Sequence, residues 1–503
     1  MTKRRTLPAL ISSLLTSAVT ATLIANPAYA GIDLIATGTI DGNYEDQDSQ
    51  TAAPLENGVA GNKLGGIGSG FAYAGGTTFV ALPDRGPNAN AYNDAVDDTV
   101  SYIDRFHTIS LRLSPSDPGS ALPFVLTPTM RATTLLSSRT PLVYGSGTDL
   151  GFQADGVTPL GSGAPALNAV NHTHYFTGRS DNFDPSQPST NPNNARLDPE
   201  AIRVSRDGNS VFISDEYGPA LYQFDRRTGM RVRSFALPEN LAITNLSSQK
   251  AVEKSTNPVG RVTNKGMEGL AITPDGRMLV GMMQANLQQD KKKSLRIITV
   301  DVRTGATHEY AYKLTDGKGV SEIVAVNDHQ FLVDERDGDG LADTPLLTDE
   351  ASPAGVKKLF LIDLDGAQDV TDISGDLSDY AVPKTEFLDI VAKLNDAGID
   401  SLLIPSKIEG IAFGQDVVIN GETRHTLYIV NDNDFLGSIA DPFKLPGDSD
   451  RGMIANPNQI YVFAFGDDDL PGYVPQKIRE QRDRKCLLPF EWHHHHHSYD
   501  IGR

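Results

Sequence analysis

Carboxylates recur at one kind of place in this chain. Glu200, Glu268, Glu322 and Glu409 sit at the start of short apolar runs, in PEAIRV, MEGLAI, SEIVAV and IEGIAF, and Ser69 takes the equivalent place in GSGFAY. A second apolar run follows each time and ends in another polar cluster. These clusters are Asp84-Arg85 in PDRGPN, Asp215-Glu216 in SDEYGP, Gln284 with Asn286, Asp334-Glu335-Arg336, and Asn431 to Asp434. Carboxylates brought together from separate strands repel one another unless they are protonated or share a cation. A hard divalent ion held by oxygen is one solution, calcium where six or more oxygens are available and manganese or magnesium otherwise. Hydrogen bonding to nearby amides, or pairing with Lys265 and Lys407, is the other. Glu200, Glu268, Glu322 and Glu409 are therefore candidate metal ligands, with calcium first and manganese second.

Other residues suit the chemistry that such an ion would support. Arg85, Arg105 and Arg336 are candidate anion clamps, because a guanidinium grips phosphate or carboxylate in a fork. Salt bridging at the surface or between repeats is the alternative for each. Asp84, Arg85 and His107 (the last in DRFHTIS) are the candidate catalytic groups, with His107 a possible acid or base or else a buried structural histidine. His172 and His174 alternate in NHTHYF, a modest metal signal that a polar loop explains equally. ERDGDGLAD from Glu335 resembles half a calcium loop, but Leu346 stands where an EF-hand needs glutamate. Gly-x-Ser-x-Gly, Walker and HExxH motifs are absent, which argues against an ordinary serine hydrolase.

Something must bring these residues together, and the repeats supply it. Five segments, from Gly68, Pro199, Met267, Ser321 and Ile408, each read as strand, tight turn, strand and polar cluster. Asp207-Gly208 and Asp275-Gly276 stand where a hairpin needs positive φ. Third strands are expected at Leu221–Asp225, Leu295–Val302 and Lys358–Asp363, and fourth strands at Val232–Ala236 and Thr307–Leu314. Four-stranded units recurring with insertions predict an all-β fold, a β-propeller. Six blades is the expectation, five to seven being compatible, with Arg131 to Leu197 either hiding a blade or forming an insertion. Ile32 to Ile40 would close the ring from the N-terminal side and remove exposed edges. One short helix is expected at Lys384 to Asn395, where Phe387, Leu388, Val391 and Leu394 share a face. The first strands would line the channel and converge at one mouth. The second-strand clusters are expected at the opposite mouth or on connecting loops.

The ends are set apart. Lys3, Arg4 and Arg5, the apolar Leu7 to Ile24 and Ala28-Tyr29-Ala30 predict a signal peptide over residues 1–30, cut before Gly31. His493 to His497 read as a tag within a vector-derived tail, 481–503, leaving 31–480 as a single propeller domain. Removing the three signal-peptide cations from 44 basic residues leaves 41 against 64 acidic ones, a net charge of −23. That excess disfavours nucleic acid or anionic membrane as partners and favours bound cations. The only cysteine, Cys486, lies in the tail, so no internal disulfide is expected.

DPEAI (198–202), SDEYGP (214–219), GMEGLAITPDG (266–276), KIEGIAF (407–413) and PDRGPN (83–88) resemble the bacterial phytase-like family with esterase-like activity. The resemblance covers roughly Gly38 to Phe465. It implies an exported propeller acting on phosphate esters or other esters with a divalent metal. The pattern is also similar to propeller phosphotriesterases, which implies Glu200, Glu268, Glu322 and Glu409 as metal ligands. Ser69 breaks the ring, leaving an open edge or a place for a loop glutamate such as Glu56. The expectation is a periplasmic or secreted, monomeric, metal-dependent phosphoesterase acting on a small-molecule ester, with Arg105 and Arg336 binding substrate. A carboxylester or lactone hydrolase and a non-catalytic calcium-stabilised propeller are the alternatives.

Overall fold

Each repeat folds as its turn residues demand. In a computed structural model, which describes residues 31–479, Gly208 and Gly276 close their hairpins at φ +74° and +75°. Asp207 and Asp275 lock these turns by accepting from the amides of Asn209 and Arg277, at 3.1 and 2.9 Å. From such hairpins grow five antiparallel sheets, each with four strands along its main path. The first blade runs Gly70–Tyr73, Thr78–Leu82, Arg105–Pro115 and Phe124–Leu135. The second comprises Pro199–Val204, Ser210–Asp215, Ala220–Asp225 and Arg231–Phe235. The third is Met267–Ile272, Met278–Met283, Ser294–Asp301 and Thr307–Lys313. Gly319–Ala325, Gln330–Arg336, Lys357–Asp363 and Lys384–Asp389 make the fourth. The fifth joins Ile408–Phe413, Glu422–Asn431 and Asn458–Phe465 to the N-terminal Asp33–Ile40.

That last pairing closes the ring as expected. Asp33–Ile40 runs antiparallel to Asn458–Phe465, from Asp33 opposite Ala464 to Ile40 opposite Asn458. The five innermost strands contact one another in sequence around the axis, and the fifth meets the first. Between the blades lie apolar layers, such as Phe212, Leu221, Leu270 and Ile298 between the second and third. Each such side chain contributes roughly 1.5–3 kcal/mol by leaving water. The glycine of the Glu-Gly motif has a packing reason. A Cβ on Gly269 would stand 2.9 Å from the Ile323 amide nitrogen, and one on Gly410 would be 2.8 Å from the Phe71 Cβ. Glycine lets neighbouring inner strands approach closely enough for the glutamates beside them to meet.

Two expectations are corrected. The blades number five, not six. The stretch Arg131 to Leu197 completes the first blade's outer strand and then forms an insertion. This insertion holds a two-residue ribbon, Ser137–Ser138 with His174–Tyr175, and the short helix Leu167–Asn171. Its Gly-, Pro- and Ser-rich sequence has no paired apolar runs from which to build a blade. The helix expected over Lys384 to Asn395 is half strand. Lys384–Asp389 pairs with Lys358–Ile362 as the fourth blade's outer strand, and only Ile390–Asp396 is helical. Asp389 sets the boundary by capping the helix, accepting from the Ala392 amide at 2.9 Å. The signal peptide expected over residues 1–30 and the tail expected to carry a tag lie outside the described residues.

Candidate active site

An antiparallel hairpin places the start of its first strand beside the end of its second. Gly70 faces Leu82, Pro199 faces Asp215, Met267 faces Met283, Glu322 faces Asp334 and Ile408 faces Asn431. The second-strand clusters therefore join the glutamates at the same mouth, with Asp84, Glu216, Asp432 and Asp434 on connecting loops as one expectation had it, and the alternative of an opposite mouth is corrected. At this mouth the acids are Asp84, Asp198, Glu200, Glu216, Glu268, Glu409, Asp432 and Asp434, and the cations are Arg85, Arg336 and Lys407. These eight carboxylates outnumber the three cations that pair with them.

Two groups of three are tight enough to share an ion, each with ligand oxygens within 4.8 Å of one another. The first is Asp198, Glu200 and Glu216, all buried. Arg85 bonds Asp198 closely and lies 3.8 Å from Glu216, which also accepts from the Gly266 amide at 3.2 Å. Glu268 lies alongside: its Oε2 is buried with no hydrogen-bond partner among the described residues. The second group is Asp84, Asp432 and Asp434, where Lys407 Nζ stands 2.6 Å from each of the last two. A protein cation already occupies the attractive position there.

The crowding appears in the acidities. Burial first, then the charges of Glu268, Asp198 and Glu216, holds the Glu200 carboxyl well above its usual range. Glu268 is raised likewise, by burial and then by Glu216 and Glu409. Burial and the Asp198 charge push Glu216 up to about 8. Asp84 is raised to about 7, burial outweighing the opposing pull of Lys407. Without an added cation these groups relieve their repulsion by keeping protons.

The other expected residues take different places. Glu322 is fully buried and committed to the protein: it accepts from the Leu270 and Ile323 amides at 3.0 and 2.9 Å and pairs with Arg203 at 2.8 Å. Arg203 also donates to the carbonyls of Phe71, Ile202 and Ile323. This one ion pair crosses the channel and ties together the inner strands of the first four blades. Glu409 is at the mouth, gripped by Arg336, whose guanidinium also reaches Glu268 at 3.9 Å. Arg105 is not brought there. It is wholly buried, donating to Asp46, the Thr51 hydroxyl and the carbonyls of Gly61 and Ile103. His107 sits on the first blade's third strand against Thr133, and burial followed by the Arg105 charge lowers it to about 3, leaving it neutral. Glu56 accepts from Ser101 and pairs with Arg179 at 3.4 Å. The acids of ERDGDGLAD are likewise engaged, Glu335 by Lys384, Asp337 by Lys357 and Asp339 by Lys318. His172 caps a short helix and His174 pairs with Ser138.

Asp198, Glu216, Asp432 and Asp434 belong to the site although none was singled out as a ligand. Asp198 has a signal in sequence, since it precedes Glu200 by two residues and an extended strand turns both toward one face.

A family model described as phytase-like, "Esterase-like activity of phytase", matches residues 62–435. The chain belongs to this family. Every acid and cation of the mouth falls within the matched span, so family membership and the site concern the same residues. A protein of Arthroderma benhamiae described as "Uncharacterized secreted protein" is 26% identical over 308 residues, 56% of this chain and 54% of that protein. The chain thus spans about half the length of that relative. Among solved structures, hydrazine synthase of Kuenenia stuttgartiensis aligns over 78% of this chain and 81% of its own, at 9% identity and a TM-score of 0.29. A putative 6-phosphogluconolactonase from Bacteroides uniformis aligns over 77% and 86%, at 11% identity and a TM-score of 0.27. Scores this low carry no functional argument. Among the described residues no helix is long and apolar enough to cross a membrane.

Proposed function

We propose that this family member is an exported, monomeric hydrolase of small-molecule phosphate esters that works with a divalent ion at the acidic mouth. The observation carrying this reading is the buried group Asp198, Glu200 and Glu216 beside the unpartnered Glu268 Oε2. The donor set fits such an ion. It is all oxygen, it converges from two blades, and its four carboxylates outnumber the two arginines beside them. Such a set suits calcium or manganese better than zinc, which prefers nitrogen and sulfur. A bound ion would supply positive charge to the phosphoryl oxygens and lower the pKa of an attacking water.

The chain's own groups complete the chemistry. Arg85 and Arg336 line the mouth and can neutralise charge that develops on the transferring phosphoryl group. Asp84, its Oδ1 held 3.1 Å from the Gly86 amide, offers Oδ2 to take or return a proton near neutral pH. The family description, which names an esterase-like activity, favours a second reading as a carboxylester or lactone hydrolase.

The test strips the purified protein of metal and reloads it with calcium, manganese or zinc. The substrates are p-nitrophenyl phosphate, bis-p-nitrophenyl phosphate and p-nitrophenyl acetate. Turnover of a phosphate ester with calcium or manganese is expected, and its loss in Glu200→Gln. Turnover of the acetate alone would select the second reading. Absence of any turnover, with a large metal-dependent rise in melting temperature, would show a calcium-stabilised binding propeller instead.

A further inference from the structure

Beside the acidic mouth lies a cavity of about 220 Å³, and Arg85 lines both. Tyr217, which follows Glu216 in the chain, lies between the guanidinium groups of Arg85 and Arg196, at 5.9 and 5.0 Å from the ring centre. Arg196 is fixed in turn by Glu253 at 3.3 Å. Arg85 and Arg196 each keep a buried Nε without a hydrogen-bond partner among the described residues.

The outer wall carries Lys250 and Asn264, with Asp94, Asp97 and Asp98 along the rim. Asp97, Asp98 and Asn264 adopt left-handed φ of 49°, 59° and 56°, a conformation that costs a non-glycine residue about 1 kcal/mol or more. Arg85 is paired with Asp198, and Glu253 is shared by Arg196 and Arg261, so three rim aspartates face Lys250 and one uncompensated arginine charge, a net charge of −1. Amide, hydroxyl and ammonium groups line a small space whose rim is net negative.

We infer that this cavity receives the alcohol portion of the ester, and that its acidic rim restricts it to an uncharged, hydroxylated group such as a sugar. The inference rests on the phosphoesterase reading and narrows it. The scissile phosphate would lie at the mouth by Arg85 while the hydroxyl groups bond the cavity wall. A second phosphate on the same sugar would bring roughly two further negative charges against Asp94, Asp97 and Asp98. Phosphate monoesters of neutral sugars are thus the substrate class, and multiply phosphorylated ones are excluded.

The experiment compares glucose 1-phosphate with glucose 1,6-bisphosphate on the metal-loaded protein, by kcat/KM and by calorimetric Kd. p-Nitrophenyl phosphate serves as the control ester. The bisphosphate should be handled about tenfold or more worse by both measures, as like-charge repulsion at a partly enclosed rim implies. Asp94→Lys should narrow that ratio to within about threefold by reversing one rim charge. A wild-type protein that treats the two sugars alike, or a ratio unchanged in Asp94→Lys, overturns the inference while leaving the phosphoesterase reading intact. Failure to hydrolyse even p-nitrophenyl phosphate overturns that reading instead, and the two calorimetric affinities then decide on the cavity alone.

Discussion

Glu322 and Glu268 begin equivalent strands in adjacent blades, and both are buried, yet the protein uses them in opposite ways. Glu322 meets two amides and Arg203, and burial raises it only to about 7. Glu268 meets other carboxylates, has the Arg336 guanidinium only at 3.9 Å, and is held well above the usual range. One residue type at one place in the repeat thus becomes a structural tie in the fourth blade and a prospective ligand in the third. The difference comes from Arg203, which the second blade projects into the channel.

The largest expected effect breaks the tie. Glu322→Ala leaves Arg203 buried and unpaired, and loss of one partner of a buried pair costs about 3–5 kcal/mol. Urea unfolding should report it as a lower midpoint, with or without metal. If Glu322→Ala instead removes the metal-dependent gain and leaves metal-free stability unchanged, the two glutamates are not different after all.

Glu268→Gln probes the other side. It replaces a buried, proton-holding carboxyl by an amide of the same shape, so metal-free stability should change by less than about 1 kcal/mol or rise slightly. The metal-dependent rise in melting temperature should shrink sharply, and metal-dependent turnover should fall at least about a hundredfold, the usual scale for losing a group that organises transition-state charge. Calorimetric scans of the metal-free and reloaded variant check both halves.

A smaller effect follows from pH. Glu216 and Asp84 have folded-state values raised to about 8 and about 7, against roughly 4 when unfolded. The folded protein therefore binds more protons between these values, and stability falls as pH rises. Their contribution is complete below about pH 4 and is lost as pH climbs through 7 to 8. Metal-free protein should melt at a lower temperature at pH 8.5 than at pH 5.5, and calcium or manganese should restore the loss at pH 8.5. A metal-free melting temperature that rises over this interval would show that the mouth is not held together by protons.

Much of this arrangement was legible in the sequence. The hairpin pairs Asp207-Gly208 and Asp275-Gly276, the third and fourth strands and the closing strand near Ile32 to Ile40 are local patterns, and local patterns survive folding. The sixth blade and the full helix at Lys384 to Asn395 failed because tertiary pairing decided them: the fourth blade lacked an outer strand, and Lys384–Asp389 supplied it. The convergence of Glu200 and Glu268 at one mouth was legible from their repeat position. The departure of Glu322 was hidden because its cause, Arg203, lies 119 residues away in sequence and meets it only across the axis. Arg105 and His107 misled for the same reason, since their partners Asp46 and Thr133 come from a distant loop and a neighbouring strand.

The smallest effect is expected where acidic sequence suggested a calcium loop. Asp339 is half-buried and faces the exposed Lys318 at 3.3 Å, while Asp337 is occupied by the buried Lys357 at 2.7 Å. Protein cations do there what an ion would do at the mouth. Asp339→Asn removes one exposed pair, and such pairs are worth less than about 1 kcal/mol. Melting temperature should move by a degree or two at most, and the calcium-dependent increment should be unchanged. A loss of that increment in Asp339→Asn, with Glu268→Gln retaining it, would transfer the ion from the channel mouth to this loop and reverse the contrast between the two glutamates.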